Sequence, residues 1–148
     1  MPFRYRLEKV LKIREEELDS AILEMKNAEE HLRAVSKELS ATTEHRNDLH
    51  AELISEGISH ATLYVRRIKQ LNEKIAKLEK DLQAAQDRLI KAKEAVIEAK
   101  RKLEALKRHK DKKYKEYMDE ENRQERIRMD EIGVLKHARE LLESREER

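Results

Sequence analysis

The chain has 148 residues, 45% of them charged and 3% aromatic, with two glycines, one proline and no cysteine. That composition fits long helices or coiled coils and excludes a large spherical core, and the lack of cysteine excludes disulfides, thiol nucleophiles and Cys-ligated zinc. A net charge of +2, set against 34 basic and 32 acidic side chains, does not describe a polycation directed at nucleic acid.

The opening stretch MPFRYRLEKV lacks the unbroken apolar segment of a secretory signal, and no apolar run approaches the roughly 18 residues that span a bilayer. The expected location is the cytoplasm, with no direct membrane insertion. A first helix is expected over about 3–56. From Leu7 its apolar positions advance by alternating steps of four and three through Leu11, Leu18, Ala21, Met25, Ala28, Leu32, Val35, Leu39 and Leu49 to Leu53, with Arg14, Thr42 and Arg46 as polar exceptions. This is a heptad seam of period 3.5. A turn is expected at about 57–60, where Gly57 can take a left-handed conformation at the helix end and Ser59 can cap the next helix.

A second helix is expected over about 60–144, with its own strict seam running from Tyr64, Ile68, Leu71 and Ile75 to Val96, Ala99, Leu103 and Leu106. In an antiparallel hairpin, facing residues have numbers with a constant sum, and the two seams obey this with a sum of 117. Leu39 then faces Leu78, Ala28 faces Leu89 and Ala21 faces Val96. Large opposes small over much of the length, which fills the space between the helices and fixes the register. Arg14, Thr42 and Arg46 soften the coil without breaking it, since arginine can carry its head out to water. The fold class is therefore all-α: an antiparallel coiled-coil hairpin forming one domain over 1–148.

The first helix runs out near Phe3, so the second is expected to be unpaired from about 114 and to overhang as a single helix of roughly 50 Å. Its charge changes from the basic KRHKDKKYK to the mostly acidic EYMDEENRQE. Apolar residues then return at Ile127, Val134, Ala138 and Leu141, flanked by Met129, Ile132 and Leu135, and with no partner in the chain they imply one outside it. Gly133 inside this helix marks fraying or a close approach by a partner. Catalytic chemistry is not expected. The six histidines, at 31, 45, 50, 60, 109 and 137, make no metal motif and read as solvated surface, and carboxylates on an exposed rod have no cleft to shift them. No cofactor is implied.

Three motifs carry a resemblance. FRYRLEKVLKIREEE, Phe3 to Glu17, resembles the N-terminal signature of the FliJ family, the soluble component of the flagellar type III protein-export apparatus. RMDEIG, Arg128 to Gly133, looks like that family's C-terminal Met-Asp-Glu/Asp box, and YVRRIKQLNEKI, Tyr64 to Ile75, is similar to its stretch after the hairpin, with Arg67 where the family usually has phenylalanine. The resemblance implies a non-enzymatic coiled coil that acts like the central stalk of a rotary ATPase, in flagellum biogenesis and hence motility and chemotaxis. The implied partners are the hexameric flagellar export ATPase, the cytoplasmic domain of the membrane export gate, and export chaperones. Association with the cytoplasmic face of the membrane would be peripheral, through the apparatus. Phe3, Tyr5, Leu7, Leu11, Met129, Asp130, Glu131 and Ile132 are implied in ATPase binding, and Tyr64, Arg67 and Leu71 in gate binding. Phe3, Tyr5, Leu7 and Leu11 also admit a purely structural role, sealing the open end of the coil against Leu106 and Tyr114.

Two other functions are compatible with the residues. A coiled-coil adaptor or spacer needs only the heptads. A nucleic-acid-binding coiled coil would use the basic segment from Lys100 to Lys115, with Tyr114 stacking on a base. The acidic segment beyond that patch and the modest net charge weigh against it.

Overall fold

A computed structural model describes residues 2–57 and 60–146. Two helices account for nearly all of them: α1, Glu8–Glu56, and α2, Ala61–Glu146, which run antiparallel as a hairpin. Every position of both predicted seams, from Leu7 to Leu53 and from Tyr64 to Leu106, is buried or half-buried. The heptad pattern therefore marks the face that packs. α1 ends at Gly57, whose φ of 74° is the left-handed conformation expected of it. Ser59, the expected cap of the second helix, lies outside the described residues.

The chain divides into two compact units, 14–102 and 1–13 together with 103–148. In the first, cross-helix ion pairs flank the seam: Glu24 with Arg88 at 2.8 Å and Glu38 with Lys74 at 3.4 Å. Each of these four residues immediately precedes a seam position on its own helix, an arrangement that belongs to antiparallel helices in the expected register. All four are exposed, so the pairs select the pairing more than they stabilise it. The polar seam residues are accommodated individually. Thr42 is buried with its hydroxyl donating to the Glu38 carbonyl at 2.8 Å. Arg46 carries its guanidinium to the edge, where it donates to Asn72 Oδ1 at 3.2 Å and Asn47 Oδ1 at 3.4 Å.

In the second unit α1 begins later than expected. Helix starts at Glu8, not near Phe3, and residues 2–5 form a non-helical arm. The Glu8 amide donates to the Tyr5 carbonyl at 3.2 Å, and the Leu11 amide to the Leu7 carbonyl at 2.9 Å, which closes the first turn. An extended chain advances about 3.3 Å per residue against 1.5 Å in a helix. The arm consequently covers more of α2 than a helix of equal length could, and α2 stays partnered to Tyr117 instead of ending its pairing near 114.

Candidate functional site

The arm docks through its aromatic residues. Tyr5 is only 8% exposed, its ring lies 5.6 Å from that of His109, and its hydroxyl is 2.6 Å from His109 Nδ1 and 3.5 Å from the Leu106 carbonyl. Phe3 meets Tyr114 edge-on at 5.3 Å and Tyr117 at 5.4 Å. Two arm residues thus reach across two turns of α2, an aromatic cluster of the kind that gains beyond its buried area. Leu7 is half-buried and Leu11 is buried. Lys110, expected opposite Leu7, turns its ammonium to Glu8 at 3.0 Å.

A cleft of about 760 Å³ opens here, lined by Phe3, Tyr5, Leu7 and Tyr117 and by the cations Arg4, Arg6 and Lys113. Among the described residues no acidic side chain lines it. Desolvation, and then the nearby Glu121 carboxylate, raise the Tyr117 phenol above its ordinary value of 10.0. The expected structural role of Phe3, Tyr5, Leu7 and Leu11, sealing the end of the coil with Leu106 and Tyr114, is what these contacts do. His109, read from the sequence as solvated surface, is instead the hydrogen-bonding partner of Tyr5.

Beyond Tyr117 α2 continues to Glu146 with its side chains exposed, Glu121 excepted. Local pairs support it: Arg123 donates to Glu120 at 2.8 and 3.1 Å, and Gln124 donates to Glu120 at 3.3 Å. These i,i+3 and i,i+4 contacts, with strong helix formers around them, let a helix persist without a packed face. Arg123 holds the Glu120 carboxylate below its ordinary value of 4.5. Gly133 sits inside the helix, and a Cβ there would meet nothing within 4 Å, so no part of the described chain approaches it.

Met129, Asp130, Glu131 and Ile132 are all exposed, and Met129 lies about 18 Å along the helix from Tyr117. The N-terminal cluster and this box therefore do not form one site. At 100° per residue Met129 and Ile132 lie about 140–160° around the helix from Ile127 and Val134, with Leu135 between the two groups on one side, so the exposed apolar residues of the overhang point in more than one direction.

Near the turn, Leu71 is 4% exposed and packs in the seam. Tyr64 is half-buried and donates its hydroxyl to Glu56 Oε2 at 2.9 Å, and the carboxylates of Glu56 and then Glu52 raise its phenol above 10.0. Arg67 is exposed and donates to Gln70 Oε1 at 3.5 Å. Leu49, His60, Leu63, Tyr64 and Arg67 line a shallow cavity of about 290 Å³. Of the three residues implied in gate binding, Tyr64 and Arg67 share this surface, whereas Leu71 is buried in the seam and does not line it. Among the described residues no group of three or more His, Asp or Glu side chains could hold a metal ion, and no helix is long and apolar enough to cross a membrane.

A family model described as the flagellar FliJ protein matches residues 3–142. No curated protein matches the sequence. Among solved structures, a YscO homolog from Chlamydia trachomatis is similar, with a TM-score of 0.75 and 24% identity, over 92% of this chain and 96% of that one. At that identity the likeness speaks for the fold alone.

Proposed function

Starting from the fact that the chain belongs to the FliJ family, and is thus a component of the flagellar type III export apparatus, we propose that it acts as a stalk-like activator of the hexameric export ATPase. In this reading the end of α2 enters the ring, the surface of Tyr64 and Arg67 meets the cytoplasmic domain of the export gate, and export chaperones are received on the exposed coil. One observation carries it. Beyond Tyr117, α2 is a single helix of mixed charge whose exposed apolar side chains are covered by none of the described residues. A narrow helix with apolar anchors and balanced charge suits a ring interior, where charge guides fit and buried anchors supply affinity.

The test is ATPase turnover with and without this protein, using the full chain and one ending after Glu121. The shorter chain keeps Tyr114, Tyr117 and the docked arm but lacks Met129 to Ile132. The full chain should bind and stimulate the ring, whereas the shorter one should melt like the full chain and leave turnover at its basal rate. Equal stimulation by both would place the ring contact outside the overhang. Arg67→Glu should weaken capture of the gate's cytoplasmic domain while stimulation of the ATPase is retained.

A further inference from the structure

In the unit containing the arm, the seam on α2 passes through Leu103, Leu106, Lys110, Lys113 and Tyr117, all buried or half-buried beneath the arm and the start of α1 except the exposed Lys113. Continuing along the same uninterrupted helix by the same steps of three and four passes the exposed polar Glu120 and Gln124 and then leads to Ile127, Glu131, Val134, Ala138, Leu141 and Arg145. The apolar members of the exposed stripe therefore continue, in phase, an interface that the chain already makes. Leu135 and Leu142, beside two of them, widen it. Exposure runs from 44% at Ile127 to 69% at Leu135. A stripe in coiled-coil phase is shaped to receive another helix.

We propose that this stripe is a self-pairing surface, joining two copies of the chain through an antiparallel two-helix contact centred near Lys136. The charges decide both the occupant and the direction. A parallel, in-register pair would stack Glu131 on Glu131 and Arg145 on Arg145 at seam positions, which is repulsive. Antiparallel pairing instead sets Val134 against Ala138 of the second copy, Glu131 against Leu141 and Ile127 against Arg145, each layer occurring twice. Val134 on Ala138 repeats the large-on-small layering of the chain's own seam.

A further match follows from the intrachain geometry. Glu24 with Arg88 and Glu38 with Lys74 pair residues that each precede a seam position. The same offset brings Asp130 opposite His137 of the second copy, twice, so that a carboxylate meets an imidazole donor. Some 19 residues of helix on each side would bury on the order of 1,000 Å² in total, the low end for a specific complex, so the dimer should be reversible. Met129 and Ile132, on the other face, remain free in it.

Analytical ultracentrifugation of the full chain across micromolar to submillimolar concentrations tests the contact. The expected result is a monomer–dimer equilibrium with a Kd on the order of 10–100 μM, a range set by the small interface. The double variant Val134→Asp, Leu141→Asp should stay monomeric throughout, with an unchanged helical melt because both side chains are exposed. The native chain has no cysteine, so the register is read from single-cysteine variants. A mixture of Val134→Cys and Ala138→Cys chains should form a mixed disulfide faster than either variant forms one with itself. A chain that is monomeric at the highest concentration, a dimer indifferent to the double aspartate variant, or self-linking of Val134→Cys as fast as mixed linking would each overturn the proposal.

Discussion

Replacing Tyr5 with alanine separates the docking of the arm from the stability of the coil. A buried tyrosine covers roughly 150–250 Å², so at about 25 cal/mol/Å² its removal forgoes about 4–6 kcal/mol, with about 1 kcal/mol more for the bond to His109. At a seam position such a loss would fall on the whole fold. Tyr5, however, lies in an arm that can leave α2 while the seam stays paired. Docking must order residues 2–7 at about 1–2 kcal/mol each, some 6–12 kcal/mol in all, so its net stabilisation is a small remainder. The global fold can lose no more than that remainder. Tyr5→Ala should therefore release the arm and move the helical melt by no more than about 5 °C, whereas Leu11→Ala, inside α1 and 5% exposed, should cost about 2–5 kcal/mol and move it further. Amide exchange at Glu8, whose N–H is held by the Tyr5 carbonyl, reports release directly, and circular dichroism reports the melt. A Glu8 amide still protected in Tyr5→Ala, or a melt lowered as far as by Leu11→Ala, would refute the separation.

The register is checked by cysteines at Ala28 and Leu89, which should cross-link within one chain under mild oxidation, whereas Ala28 with Val96, one heptad displaced, should not, because a disulfide requires Cα atoms about 4.4–6.8 Å apart. Thr42→Val should leave stability within about 1 kcal/mol of the parent in chemical denaturation: the Glu38 carbonyl that its hydroxyl contacts is already inside a helix, and the added methyl faces an apolar layer. Because the folded Tyr117 phenol titrates above the unfolded value, its contribution is complete below about pH 10 and is lost as pH rises through the folded value. Phenolate absorbance should accordingly show a late component, shared with Tyr64, that disappears in the double variant Tyr64→Phe, Tyr117→Phe; a late component that persists there would contradict the assignment.

The seam could be read from the sequence because period 3.5 sustained over many turns has one physical meaning, and because alanine facing leucine leaves one register without voids. Thr42 and Arg46 did not obscure it, since Thr42 is accommodated by a bond within its own helix and Arg46 by bonds to Asn72 and Asn47 at the edge, and not by a change of path. The start of α1 was misplaced for a specific reason. Phe3 and Leu7 stand four apart and fit a helical stripe, yet Phe3, Tyr5 and Leu7 also alternate with Arg4 and Arg6, and alternation with period two is the signature of extended chain. Tyr5, off phase in the heptad, was the residue that could have decided it. His109 and Tyr117 were missed as a consequence, because they become neighbours of the arm only once it is extended. The candidate contacts on the overhang were legible as exposed apolar residues, but their division by direction around the helix depends on the unbroken helical phase through Gly133.

That division bears on how one short helix could serve more than one contact. Ile127, Val134, Ala138 and Leu141 share the face that continues the coil, and Met129 and Ile132 point away from it. If the ring reading holds through Met129 and Ile132, substitutions on the coil-phase face should alter self-association before they alter ATPase stimulation, and substitutions at Met129 or Ile132 should do the reverse. The two surfaces are chemically similar and are separated only by rotation about the helix axis. Their independence therefore rests on the helix staying regular, which the pairs among Glu120, Arg123 and Gln124 support on the side nearest the arm. Gly133, in open space between the faces, is the position where that regularity is weakest, at a cost of about 1 kcal/mol relative to alanine.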